Sequence, residues 1–323
     1  NSTDTTYPTA YDVVLNATGS YDASSTAQSG DLSITGAIRS YGGNVSLSSP
    51  GKITIKGTDA NSVLALIDAR SWSGSAPAAT AGNLTIDFKT EGRDLPLMLW
   101  LPQVNVNLEV GNNSGTGKTQ LFAKDVTITG SSSIASDLVS NSDSNQGLTV
   151  LNELLDTALY GITSAISPLP ATVKTGSTST RVSFSNTELL SSGTIVLDLS
   201  SSLEQKAPAY GSAWWQNSML LWSAGVAVGS TTTDLSIKAS SISTTGGDIN
   251  ITTASSNKLS ADATLKVNPK SEVSLGEISE SDKKQNNNKI ALSAGITVGN
   301  TKSNVLLDST SQIKASGSIS IEN

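Results

Sequence analysis

Single Val, Ile and Leu residues alternate with Ser, Thr and Asn along most of this chain, in short strings that a turn residue introduces. Asp31-Leu32-Ser33-Ile34, Asn44-Val45-Ser46-Leu47, Asn83-Leu84-Thr85-Ile86, Asp125-Val126-Thr127-Ile128 and Asp248-Ile249-Asn250-Ile251 all have this form. A period of two puts the two apolar side chains on one face and the polar one on the other, so each string predicts a short strand. Gly43, Gly82 and Gly247 precede three of them. Gly allows a tight corner, and Asn or Asp adopts or caps one. Strands this short bury no core alone. Stacked as coils, they share one apolar interior.

The strings recur at long range. Ser223-Ala-Gly-Val-Ala-Val-Gly229 returns as Ser293-Ala-Gly-Ile-Thr-Val-Gly299, 70 residues on. Gly247-Asp-Ile-Asn-Ile251 returns as Gly317-Ser-Ile-Ser-Ile321 at the same offset, with a one-residue slip between, at Ile242 against Ile313. Asp31 to Leu47 is a third copy, and Thr194 to Leu199 a weaker echo. Internal repetition of this kind marks a solenoid. With about three coils of some 23 residues in each repeat and about 4.8 Å per coil, the chain would make a rod on the order of 50–70 Å long.

These strings resemble those of filamentous-haemagglutinin-like and giant repetitive adhesins of bacteria, whose rods are built of Gly-Asp/Asn-Ile-x-Ile and Ser-Ala-Gly-Val-x-Val-Gly units. The resemblance covers Asp31 to Gly57 and Ser223 to Asn323 and is weak between them. It implies a place on the outer surface, outer-membrane-associated, or secretion. It also implies a role in attachment, aggregation or display, with a glycan or a cell-surface receptor as partner.

The middle departs from the rule. Leu148, Leu151, Leu154, Leu155, Ala158, Leu159, Ile162, Ala165 and Ile166 fall at helical intervals, and Pro168 and Pro170 follow. This spacing predicts an amphipathic helix over about 146–166, packed on the flank or end of the solenoid or else presented to a partner. Its polar face lacks the Lys and Arg of a membrane-surface helix. The run Leu95 to Pro102 is the most apolar stretch and too short to span a bilayer. Trp214, Trp215 and Trp222, with Tyr210, form an aromatic cluster in a chain only 4% aromatic, and Trp100 lies in the apolar run. These five are the candidate interaction surface: a satellite core, a subunit contact or a stacking platform for sugars.

Composition narrows the chemistry. The 323 residues include no Cys and no His, which removes disulfides, thiol catalysis and the commonest general base. Net charge is −7 with no basic run, so a nucleic-acid partner is not expected. Gly111 to Thr119 resembles a phosphate loop, but Asn112 stands where the first Gly belongs, and a strand pattern follows in place of a helix. Polysaccharide-active enzymes also use parallel β-helices and need carboxylates clustered on successive coils. Asp87, Glu91, Asp94 and Asp198, with Arg93 among them, show no spacing that repeats with a coil. The Asn-x-Ser/Thr strings at Asn16, Asn44, Asn83 and Asn250 are expected by chance here. Ser279 to Asn288 reads as a polar loop between coils.

The sequence therefore predicts an all-β protein, a right-handed parallel β-helix (β-solenoid) with an inserted amphipathic helix. Coils over 1–90 and 221–323 flank an irregular section over 91–220. The expected function is a structural or adhesive segment of an exported bacterial surface protein, not an enzyme, with no cofactor or metal. It would assemble as a homo-oligomer or head-to-tail filament. The alternatives are a carbohydrate-binding module on the same scaffold and, after it, a polysaccharide-active β-helix enzyme.

Overall fold

The structure, a computed structural model, describes residues 9–19, 30–57, 65–73, 76–94, 99–111, 117–136, 171–207, 209–211, 220–261, 263–268, 271–273 and 290–323. The described residues are all-β. Three parallel sheets stack along the chain as the three faces of a β-helix. Face 1 holds Leu32–Ile34, Lys52–Ile55, Gln103–Gly111, Ala171–Ser185, Leu220–Lys238 and Ile290–Leu307, and Leu99–Trp100 pairs beside it. Face 2 holds Ala37–Arg39, Leu66–Asp68, Thr119–Ala123, Thr187–Ser191, Ser241–Thr244 and Gln312–Lys314. Face 3 holds Val13–Asn16, Val45–Ser49, Leu84–Asp94, Val126–Ser136, Ile195–Lys206, Ile249–Ser260 and Ile319–Glu322. Each coil runs through faces 1, 2 and 3 in that order.

No helix occurs among the described residues, and the segment of about 146–166 where one was expected lies outside them. The same three sheets contain strands from each of the spans 1–90, 91–220 and 221–323.

Alternation explains the stacking. The apolar residues of each string point inward and meet the same residue type one coil away. On face 3, Val13, Val45, Leu84, Val126, Ile195, Ile249 and Ile319 form one column. On face 2, Ile38, Ile67, Leu121, Leu189, Ile242 and Ile313 form another. Core members such as Leu47, Ile86, Leu108, Leu197 and Ile251 are buried in one continuous cluster.

The coil is longer than the sequence suggests. Ser223 pairs with Ser293 and Ile249 with Ile319, so the 70-residue repeat is one coil laid on its neighbour, not three. The slip between Ile242 and Ile313 is taken up at the corner Asp308 to Ser311. Face 3 has seven strands, so the rod core rises only about 29 Å, at about 4.8 Å per step.

The extra length has a physical use. Strands of faces 1 and 3 run on past the triangular core and face each other as a two-layer wing. Its interior is a seam of hydroxyls. Ser132 and Thr180 share a hydrogen bond of 2.9 Å, the Ser201 hydroxyl donates to the Thr232 carbonyl at 2.7 Å, and the Thr233 hydroxyl to the Ala254 carbonyl at 2.7 Å. Beyond the seam, Val104, Ile134 and Leu203 form a second apolar cluster with Leu259 against it.

The glycines of the Ser-Ala-Gly-h-x-h-Gly strings belong to this wing. Gly176, Gly229 and Gly299 stack in face 1 opposite Leu203 and Leu259. A Cβ on Gly229 would lie 2.6 Å from a Leu203 methyl and 2.8 Å from a Leu259 methyl. Small inward residues let the sheets close. Val226 and Val228 then point outward in face 1, as do Val173, Ile296 and Val298, which stand exposed at its rim.

Candidate interaction edge

The corner between faces 2 and 3 is built most regularly. Its residues are Asp12, Asn44, Asn83, Asp125, Thr194, Asp248 and Ser318, one per coil. The Asn44 backbone N–H donates to Asp12 Oδ1 at 2.8 Å, Asn83 N–H to Asn44 Oδ1 at 3.0 Å and Asp125 N–H to Asn83 Oδ1 at 3.3 Å. Thr194 N–H donates to Asp125 Oδ1 at 2.9 Å and Ser318 N–H to Asp248 Oδ1 at 2.7 Å. Where the chain turns, backbone pairing between coils lapses, and the side chain accepts the stranded N–H instead. The separations along this ladder are 32, 39, 42, 69 and 70 residues. Gly43 and Gly82 sit beside it because the carbonyl of the coil before lies where a Cβ would be. These bonds hold Asp248 below the usual carboxylate range, through the Ser318 backbone N–H first and its hydroxyl second.

The corner between faces 1 and 2 is also short in most coils. Asn186 and Ala239 turn there with φ of 51° and 49°. Asp308 caps the last such corner. It accepts hydrogen bonds from the Ser311 hydroxyl and the Ala239 N–H, and from Thr310. Together these hold its carboxyl at about 2, the Ser311 bond contributing most.

The third corner, between face 3 of one coil and face 1 of the next, differs. The chain leaves face 3 at Asn16, Asp94, Ser136, Lys206 and Ser260, and re-enters face 1 at Leu32, Leu99, Ala171, Leu220 and Ile290. The longest gaps between successive strands of the stack, 17–31, 137–170 and 261–289, all open from this one edge, although it is short between Ser49 and Lys52. Two of them meet in a small satellite sheet, where Ala209–Gly211 pairs in parallel with Ala263–Asn268, and Ser271–Val273 adds an antiparallel strand. Elsewhere, 56–65 and 112–118 intervene between faces 1 and 2, and a hairpin of Arg70–Ser73 and Ala76–Ala81 stands between faces 2 and 3. At its base Asp68, buried, binds the Arg70 guanidinium at 2.8 and 2.9 Å, and that guanidinium lies 3.8 Å from the Phe122 ring centroid.

Three of the candidate aromatic residues fall on the insertion edge. Trp100, in register with Lys174, and Trp222, in register with Leu292, lie where insertions rejoin the coil, and Tyr210, in register with Thr264, lies just past Lys206, where one leaves it. Trp214 and Trp215 lie outside the described residues. Chain position alone did not reveal that Trp100 shares an edge with Tyr210 and Trp222.

The wing beneath that edge contains unusual groups. Lys174 is fully buried, and the buried Gln205 amide, Thr178 hydroxyl and Thr231 hydroxyl meet no hydrogen-bond partner among the described residues.

The acidic residues weighed as catalytic candidates are dispersed. Asp87 and Asp198 share an outward column of face 3 with Thr129 between them, a separation of about 10 Å by two coil steps. Asp87 binds Lys89 at 2.9 Å. Glu91 lies further along the same strand as Asp87 and is exposed. Among the described residues no three acidic side chains converge on a metal position. The strand Gln103–Gly111 and the strand Thr119–Ala123 flank the phosphate-loop-like string, so no helix N-terminus follows it.

The best-defined electrostatic feature lies outside the edge, on face 1. Glu109 sits between Lys52 at 2.8 Å and Lys56 at 2.6 Å. Burial opposes its ionisation, but the two ammonium groups outweigh that and hold its carboxyl at about 2.

No family model, no curated protein and no solved structure matches this chain.

Proposed function

We propose that this chain is a structural, adhesive segment of an exported bacterial surface protein, a right-handed β-solenoid that displays inserted segments from one edge. The observation that carries this reading is the edge between faces 3 and 1, from which the longest insertions open. Variable segments on a rigid scaffold are the usual place of recognition. Here a regular stack directs them to one side, with Trp100, Tyr210 and Trp222 among them. Right-handed winding follows from the preference of parallel crossovers. Placement outside the cell rests on the adhesin-like strings.

Adhesion is tested with beads coated with the chain, on a glycan array and on bacterial and host cells. Binding is expected, and combined Trp100→Ala, Trp214→Ala and Trp215→Ala substitution is expected to lower it at least about tenfold, as loss of aromatic anchors does. Arg181→Ala, on the outer surface of face 1, is expected to leave it unchanged. Failure of the parent chain to bind any surface, or equal binding by the Trp variant, overturns the reading.

A second reading, a carbohydrate-binding module, is favoured by the same aromatic residues. Binding confined to glycans, saturable and competed by free sugar, selects it over general adhesion.

A further inference from the structure

We propose that residues 148–166, wound as a helix, pack their apolar side on an outward apolar stripe of face 1. The stripe is read from the register. Val173 pairs with Val226 and Val226 with Ile296; two positions on, Thr175, Val228 and Val298 pair in the same way. Trp100 beside Lys174 and Gln103 beside Ser177 put Leu101 level with Thr175. Lys174 and Ala227 are the buried, inward residues between them, so alternation turns the stripe outward. Leu101 is 52% exposed and Val173 36%, and Val226 and Val228 are half-buried. Further along the same strands the outward pairs turn polar: Ser177 with Ser230, Ser179 with Thr232, Arg181 with Asp234. The apolar positions therefore gather at the end of the strands where insertions rejoin face 1. Three coil steps make the stripe about 14 Å across, close to the width of one helix, about 10–12 Å. An outward sheet surface left apolar in this way is suited to a covering layer, and a helix is the usual one.

The occupant is argued from the insertion that rejoins the coil at the stripe. The chain leaves face 3 at Ser136 and re-enters face 1 at Ala171, two residues before Val173. Between them Leu148, Leu151, Leu155, Ala158, Ile162 and Ala165 follow one another at steps of three and four, which is one apolar side of a helix. Ile166 stands five residues before Ala171, a reach of at most about 18 Å when fully extended. The end of such a helix is therefore held near Val173, and a short tether keeps its apolar side at an effective concentration on the order of millimolar. The segment 212–219 also rejoins face 1 beside the stripe, but its eight residues are too few for an apolar side of that length.

This makes one insertion part of the scaffold, and it stands or falls whether or not the chain adheres to anything. The full chain, methyl-labelled at Leu, Ile and Val, is expected to show NOEs from Val226 or Val228 to Leu151, Leu155 or Ile162. Thermolysin, which cuts before Leu and Ile, reads the same contact. Val226→Asp with Val228→Asp, both at outward positions, is expected to speed cleavage within 148–166 at least about tenfold, as release of a docked segment does. Thr127→Asp with Asn250→Asp, outward on face 3, is expected to leave that cleavage unchanged. Cleavage within 148–166 as fast in the parent as in the Val226, Val228 variant overturns the proposal. So do NOEs from the two valines to residues 212–219 instead, or a parent dimer that the variant dissociates without exposing 148–166.

Discussion

At the scale of single residues, spacing between coils decides what is tolerated. Gly82 and Gly36 make the contrast. A methyl on Gly82 would meet the Gly43 carbonyl, while nothing lies within 4 Å of one on Gly36. Gly82→Ala is expected to cost about 2–4 kcal/mol and Gly36→Ala less than about 0.5 kcal/mol, read by urea unfolding. Glu109 is the residue that sets a pH dependence. Its carboxyl in the folded protein titrates at about 2, below the 4.5 usual for a glutamate. Its contribution is therefore complete above pH 4.5 and is lost as pH falls through about 2. The partners are partly exposed, so the effect is of order 1 kcal/mol. Lys52→Met with Lys56→Met should move the Glu109 titration back toward 4.5 by carboxyl-carbon NMR, and an unmoved titration contradicts the role given to the two lysines.

At the scale of the element, alternation made the strands legible and hid their lengths. Leu84-Thr85-Ile86, Val126-Thr127-Ile128 and Ile195-Val196-Leu197 all open face-3 strands at the same column, as their pattern suggests. Nothing in the alternation signals where a strand leaves the triangular core and enters the wing. Ser132, Ser201 and Thr231 are inward and buried there, though their polarity reads as solvent-facing. The valines of Ser-Ala-Gly-Val-Ala-Val-Gly read as core and point outward, because the inward place beside them is taken by Gly229, which leaves room for Leu203 and Leu259. A polar seam is stable when each group finds a partner, and the Gln205 amide finds none among the described residues. Gln205→Met should therefore raise stability by about 1 kcal/mol, by removing an unsatisfied amide beside apolar Leu203. A loss of stability in thermal unfolding would show that the amide has a partner in solution.

For the whole molecule, the repeat was legible and the number of coils was not. Self-similarity over 70 residues fixes which positions correspond, but a single long coil and several short ones give the same correspondence. The ladder separations of 32, 39, 42, 69 and 70 residues show why. The core part of each coil is nearly constant, and the wing, the edge insertions and the segments at the other two corners, such as 56–65 and the Arg70–Ala81 hairpin, supply the rest. The edge itself was invisible in the sequence, because insertions far apart in the chain converge only when the coils are stacked. Its aromatic residues were visible as an uneven composition, without the geometry that gathers three of them on one side.

The central claim is that one insertion-bearing stretch equals one coil, so residues before and after an insertion lie side by side. Thr127 and Val196 are outward neighbours on face 3 although they stand 69 positions apart in the sequence. In a protein without native cysteine, Thr127→Cys with Val196→Cys should form an intramolecular disulfide on mild oxidation of dilute protein, identified by mass spectrometry of the linked peptides. Adjacent strands place the two Cα atoms about 4.8 Å apart, within disulfide reach. If the same stretch made three coils, they would stand about 14 Å apart by that spacing, and the absence of the bond would contradict the architecture described.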